Sequence, residues 1–225
     1  MQRHTVQFHW HNQGWSDFDA FLSSLQQEKR KKIKQERRRV ADAGVQFQAL
    51  RGRDIGRAEW DFFYACYERT YLEHGNAPYL SRSFFQAMAS DMPENWLLLL
   101  GERAGMPMAC SLIGLSDGTK QPAVAYGRYW GALERVDCLH FEACYYQPLV
   151  WCLQNGVQRF EGGAQGEHKM ARALMPVMTH SAHGVADPRF SQAIGQFLDR
   201  EGRGVDNYME HLGQRTPYKP KPHLL

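Results

Sequence analysis

Arg128 and Glu161 are the charged residues best placed in this sequence to act on a small molecule. Residues 122–132 read as a strand, and its alternation puts Tyr126, Arg128 and Trp130 on one face. Residues 157–164 read as a second strand, in which Arg159 and Glu161 share a face. A guanidinium in such a position binds a carboxylate or phosphate, and a carboxylate accepts the proton that an attacking ammonium must lose. The same two charges can equally brace a sheet as an ion pair.

The second strand runs into Gly162-Gly163-Ala164-Gln165-Gly166 and then Glu167-His168-Lys169. A turn of small residues opening a helix leaves N–H groups free and lets a ligand's backbone or phosphate approach, so Gly163 and Gly166 are candidate contacts. Glycines there also serve a tight turn with no ligand at all. His168 is a candidate base and Lys169 a candidate anion holder. His140 and Glu142, at the start of the preceding helix, point toward the same strand ends. His180 and His183 stand three apart in a strand and so lie on opposite faces, and the cysteines show no short repeated spacing. No metal site is expected. A G-x-S-x-G elbow, a P-loop and a dinucleotide glycine fingerprint are missing from the sequence.

These residues need a scaffold, and the pattern supplies one. Phe18, Phe21, Leu22 and Leu25 have helical spacing after Ser16, a fitting N-cap, and Ile33 and Val40 continue the stripe to Gly44. Residues 5–10 have the length of a short strand. Residues 45–50 alternate as a strand; residues 54–74 form a long helix with Trp60, Phe63, Tyr64, Tyr67 and Tyr71 on one face; Ser81 caps a shorter helix. Three strands follow at 96–103, 107–115 and 122–132, separated by turns at Gly105 and Asp117-Gly118. A helix over 139–154 must kink or restart at Pro148. Then come the strand over 157–164, a helical turn or two over 167–174, a strand over 177–183 and a helix over 190–198. From residue 45 the order is β-α-α-β-β-β-α-β-α-β, an α/β chain with a mixed central sheet. The last helix-length crossover between strands must be parallel and right-handed. The expected division is an N-terminal segment with a basic helix (1–43), an α/β domain (44–212) and a loose tail (213–225).

The chain has 225 residues, 43% of them hydrophobic, and a net charge of +3. That excludes wholesale disorder and is enough for one full core. Eight basic residues against two acidic ones between Glu28 and Arg39 concentrate +6 in one segment, leaving the rest of the chain mildly acidic. Lys31, Lys32, Arg37 and Arg38 are therefore candidates for gripping the phosphates of tRNA or an anionic headgroup, although a solvated Lys/Arg face needs no partner. No run approaches the roughly 18–20 apolar residues of a membrane span, and the N-terminus lacks the apolar core of a signal peptide. Five cysteines without C-x-x-C pairing fit a reducing compartment. The expectation is a soluble, cytoplasmic protein.

Three stretches carry a resemblance: Tyr126-Gly127-Arg128-Tyr129-Trp130-Gly131, Leu139-His140-Phe141-Glu142-Ala143-Cys144-Tyr145-Tyr146-Gln147, and Phe160-Glu161-Gly162-Gly163-Ala164-Gln165-Gly166-Glu167-His168-Lys169. With the basic run, Pro78-Tyr79-Leu80 and Thr179-His180-Ser181-Ala182-His183, they resemble the FemAB-like branch of the GNAT acyltransferase superfamily, a bacterial group labelled as peptidoglycan-related. Members of the branch are usually longer, and this chain corresponds to their C-terminal half. The resemblance implies a GNAT-like fold and transfer of an aminoacyl or acyl group to an amine on a small molecule or peptide, with aminoacyl-tRNA or acyl-CoA as donor. It also implies that the two strands carrying Arg128 and Glu161 splay apart around the reaction; the residue chemistry then makes Glu161 and His168 the candidate catalytic groups, with Arg128 orienting the acceptor and Lys169 holding the donor's anionic group. The loop over 131–138 lacks the spaced glycines of a CoA site and holds Glu134 and Asp137, which disfavours acetyl-CoA in its usual pose. A module of the same shape that only recognises a peptide, wall fragment or tRNA is the alternative.

Overall fold

The computed structural model describes residues 1–116, 123–164 and 166–220. Its described residues form a mixed seven-stranded sheet in the order β2-β3-β4-β5-β6-β1-β7. β2 (Val45–Arg51), β3 (Trp96–Arg103), β4 (Met106–Leu115) and β5 (Val124–Ala132) make an antiparallel meander. β5 then pairs in parallel with β6 (Arg159–Glu161), through Val124–Arg159, Ala125–Phe160 and Tyr126–Glu161. β1 (Gln2–His11) lies antiparallel between β6 and β7 (Met175–Ala182). The order expected from residue 45 onward is the order found. The Asp117-Gly118 turn, Pro122 and Gln165 lie outside the described residues.

β1 is thus longer than the short strand expected over residues 5–10. Val6, Phe8 and Trp10 alternate onto one buried face, each contributing about 1.5–3 kcal/mol of burial. Histidines and glutamines on the other face hide this alternation in the sequence. The face of Phe8 and Trp10 is covered by α1 (Phe18–Ser24), α2 (Gln27–Asp42) and the crossover between β5 and β6, and the core there includes Phe21, Leu25, Ile33, Tyr145, Tyr146 and Leu149. The opposite face of β3–β5 is covered by α3 (Arg57–Glu73) and α4 (Arg82–Asp91), where Trp60, Phe63, Cys66, Tyr67 and Phe85 pack on Leu98, Leu100, Cys110 and Leu112.

Local chemistry explains the remaining differences. Asp17, not Ser16, caps α1: its carboxylate accepts from the Ala20 N–H, and the Ser16 hydroxyl supports it. The crossover is segmented into α5 (Leu139–Phe141), a π-helical turn (Glu142–Tyr146) and α6 (Gln147–Gln154), with Pro148 in its first turn. The strand expected over 157–164 shrinks to three residues because the chain turns at Gly162-Gly163. α7 (Pro188–Gly213) runs well past residue 198. Val205, Met209 and Leu212 prolong its apolar face, and Gly202 lets the helix pass close to His4 of β1. The described part of the tail is held: Tyr218 stacks on Trp15 at 6.0 Å and bridges to Leu25.

Candidate active site where β5 leaves β6

β5 and β6 pair over only three residues, and beyond Tyr126 and Glu161 they diverge. A β-bulge sits at that point: Ile113 pairs with Gly127 and Leu112 with Tyr129, so Arg128 is the extra residue. The bulge breaks the expected alternation. Tyr126 pairs with Gly114 on the α3 side, whereas Trp130 pairs with Ser111 on the other face and its ring meets His140 at 5.1 Å. Arg128 is exposed, with its guanidinium 5.4 Å from the Tyr126 ring centroid. Tyr126, Arg128 and Trp130 therefore do not share one face.

On the crossover side, the divergence leaves a cavity of about 200 Å³ lined by Arg128, Trp130, His140, Cys144, Tyr145 and Lys169, among others. A groove of about 530 Å³ shares Trp130 and His140 with it and runs toward the C-terminal end of α3. Lys169 comes from a 3₁₀ turn (Glu167–Arg172) and is almost fully buried; its Nζ donates to the Gly162 carbonyl at 2.5 Å and reaches Gly163 O at 3.4 Å. An ammonium has three N–H bonds, so one remains for a ligand. Gly163 takes φ +78° and offers its carbonyl here. Gly166, at φ +97°, leaves room for the His168 ring, which any Cβ at that position would meet. The ring's Nε2 lies 3.2 Å from Tyr145 Oη, with His140 and Phe141 around it.

Burial sets the protonation states. It lowers Lys169 below the usual amine range, and it lowers His168, with Arg172 and Lys169 adding positive charge nearby. His140 is pushed down to about 4, chiefly by burial and then by His168. Cys144 is pushed up to about 12, so it is a thiol at neutral pH and no thiolate nucleophile is on offer. The cavity thus has the neutral His140 imidazole beside Lys169, with neutral His168 behind Tyr145. Since the unfolded chain takes up protons at His140 that the fold refuses, stability should fall on acidification from about pH 6.5 to about pH 4. The His140 contribution is about 3 kcal/mol. Denaturant titrations across this range should show a shallower pH dependence for His140→Gln than for the unaltered chain. Identical slopes would mean His140 titrates normally.

The other candidates lie elsewhere. Glu161 is on the opposite face from Lys169: its carboxylate is 2.9 Å from Arg159 Nε and 3.9 Å from His9 Nε2, its cross-strand neighbour. Of the four residues expected around one cleft, Arg128 and Lys169 line this cavity, whereas His168 is set behind Tyr145 and Glu161 lies on the far face. The single-face expectation assumed a sheet without a bulge and did not include β1. Glu142 is buried but turns toward α2, where Arg37 Nε and Gln147 bond it at 3.1 Å and 2.7 Å. Arg37 is accordingly a brace rather than an outward cation, and it also lies over the Phe18 ring. Lys31, Lys32 and Arg38 are exposed as expected. His180 meets His4 at 2.8 Å, far along the sheet, and no group of residues suited to a metal ion occurs among the described residues. Glu134 does not stand as a free negative charge, because Arg103 pairs with it. Cys144 and Tyr145 escaped the sequence reading because they look like core residues; only their place in the crossover motif hinted otherwise.

A family model described as FemAB_like, peptidoglycan biosynthesis/recognition, matches residues 1–220. No curated protein matches the chain significantly. Among solved structures, the C-terminal domain of a putative lysylphosphatidylglycerol synthetase from Agrobacterium fabrum is similar at 11% identity and TM-score 0.49, over 77% of this chain and 52% of that one. L-PGS from Bacillus licheniformis follows at 9% and 0.48, over 71% and 46%. A GCN5-related glucosamine N-acetyltransferase region of a fungal multi-domain GH3 β-N-acetylglucosaminidase gives 11% and 0.47, over 80% and 20%. The chain spans about half the length of the first two. No helix among the described residues is long and apolar enough to cross a membrane.

Proposed function

The chain belongs to the FemAB-like family, and on that premise we propose that it transfers an acyl or aminoacyl group to an amine acceptor in peptidoglycan-related metabolism. The observation that carries this reading is the cavity at the divergence of β5 and β6, lined by Lys169 and by Tyr145, whose hydroxyl meets His168. Attack by an amine on an acyl carbon requires the ammonium to lose a proton and the carbonyl oxygen to take up negative charge. His168, held neutral, is the base and takes the proton through the Tyr145 hydroxyl; Lys169 faces the oxyanion with its remaining N–H. The new C–N bond forms as the donor's C–O or C–S bond breaks, and the proton on His168 passes to the leaving group. Glu161, on the far face, is outside this scheme.

The donor is aminoacyl-tRNA or acyl-CoA, and the acceptor an amine on a small molecule or peptide. Incubating the protein with each donor and with amine-bearing wall peptides, then reading acceptor masses, tests the reading. An amide product that forms only with active protein supports it. Acceptor binding without consumption of either donor would make the protein a recognition module instead.

The exposed cations of α2 favour aminoacyl-tRNA as donor. Changing Lys31, Lys32 and Arg38 to Gln should weaken tRNA binding and flatten its salt dependence, by about 0.7–0.9 in log–log slope per lost phosphate contact. Arg37→Gln should instead lower the melting temperature, because it strips the partner from buried Glu142. An unchanged salt slope in the triple variant would leave α2 as a solvated face.

A further inference from the structure

α2 carries cations outward, but it also sends Glu36 inward, and Glu36 is nearly as buried as the core around it. Its two carboxylate oxygens accept from Arg172 Nη2 at 2.9 Å and 2.8 Å, and Tyr146 Oη donates to it as well. Arg172 closes the 3₁₀ turn that bears His168 and Lys169. Its guanidinium is 3.6 Å from the Phe141 ring centroid, and its Nη1 donates to the His168 carbonyl at 2.8 Å. One guanidinium therefore joins α2, the π-helical turn and the backbone of the candidate base. Its side chain is 3% exposed and that of Glu36 7%.

We propose that Arg172 is a positioning residue: clamped by Glu36, which Tyr146 also bonds, it fixes the turn that presents Lys169 to the cavity and His168 to the Tyr145 hydroxyl. The inference rests on the transfer reading for its consequence in turnover, but its geometric content does not. A short turn of six residues has little regularity of its own to hold two side chains in register. The guanidinium's fork supplies that register because it satisfies a carboxylate and a carbonyl at once, which an ammonium cannot do with the same geometry. Misplacing a reacting group by about 1 Å costs up to about 10²-fold in rate.

Arg172→Lys is the test, since it keeps a positive charge against Glu36 while losing the fork. Melting first establishes that the variant folds. Side-chain NMR then follows His168, which faces His140, Lys169, Arg172 and the Tyr145 hydroxyl. In the variant, its titration midpoint should climb toward the ordinary 6.5 and its contact with Tyr145 should weaken. With transfer measured, kcat should fall about tenfold or more while KM changes far less. A lower melting temperature with an unchanged His168 signal would overturn the proposal and make Arg172 a purely structural charge. If Arg172→Lys does not fold, Tyr146→Phe removes one bond to Glu36; a smaller shift in the same direction supports the clamp, and an unmoved His168 overturns it. An inactive unaltered protein in which the variant still moves His168 would sink the transfer reading alone.

Discussion

Lys169→Met should reduce transfer by about 10²–10³-fold, the usual effect of removing one donor from a developing oxyanion. KM should change little, because an interaction made mainly in the transition state is lost from kcat. The substitution suits the site. Met matches the length of the lysine stem, so the packing toward Phe8 beside Gly162 is largely kept. The structural cost is one orphaned carbonyl at Gly162, about 1–3 kcal/mol. Activity and stability therefore separate: a folded protein with a lowered melting temperature and almost no turnover. Wild-type turnover in folded Lys169→Met would confine the lysine to tying down the Gly162-Gly163 turn, and the cavity would lose its electrophile. Lys169→Arg should not rescue, since a planar guanidinium on a longer stem cannot repeat the compact ammonium's bonds to the Gly162 and Gly163 carbonyls.

Much of this scaffold was legible in the sequence because its signals are local. The alternation of Val45–Arg51, the apolar run of Trp96–Arg103 and the glycine turn at Gly105 each name an element without help from the rest of the chain. The parallel pairing of β5 with β6 follows from a helix-length crossover between them. What could not be read depends on neighbours that lie far apart in sequence. A bulge is set by the register between β4 and β5, and one unpaired residue, Arg128, reverses which face the following side chains take. Glu161 and His168 are seven positions apart, yet the turn at Gly162-Gly163 and the pairing of β6 with β1 send them to opposite sides of the sheet. Arg37 and Glu36 illustrate the same limit. Within a run of cations they look like members of one solvated surface, but the α2 helical period aims both at the crossover. His140, His168 and Lys169 were found together because the crossover motif and the glycine turn both end at the mouth of the parallel pair.

Glu36→Ala should be the most damaging single change to stability, at about 3–5 kcal/mol, the usual loss when one partner leaves a buried ion pair. For a chain of this size that lowers the melting temperature by about 6–20 °C. The reason is the charge left behind. Arg172 cannot reach water, since its side chain is 3% exposed and its guanidinium lies against Phe141. Tyr146 loses its acceptor in the same step. Surface pairs give the contrast: Arg57→Ala, which breaks an exposed contact to Asp61 at 3.7 Å, should cost less than about 1 kcal/mol. A double change, Glu36→Met with Arg172→Leu, removes both charges and fills the space with apolar atoms, so it should recover most of the lost stability. It should not recover turnover, because the His168 carbonyl no longer has its donor. Calorimetry on the single and double variants separates these effects. If Glu36→Ala melts within about 2 °C of the unaltered protein, the pair is open to solvent in solution and α2 is not anchored through it. If the double variant recovers both stability and turnover, burial alone sets the geometry of the turn, and the guanidinium fork has no part in it.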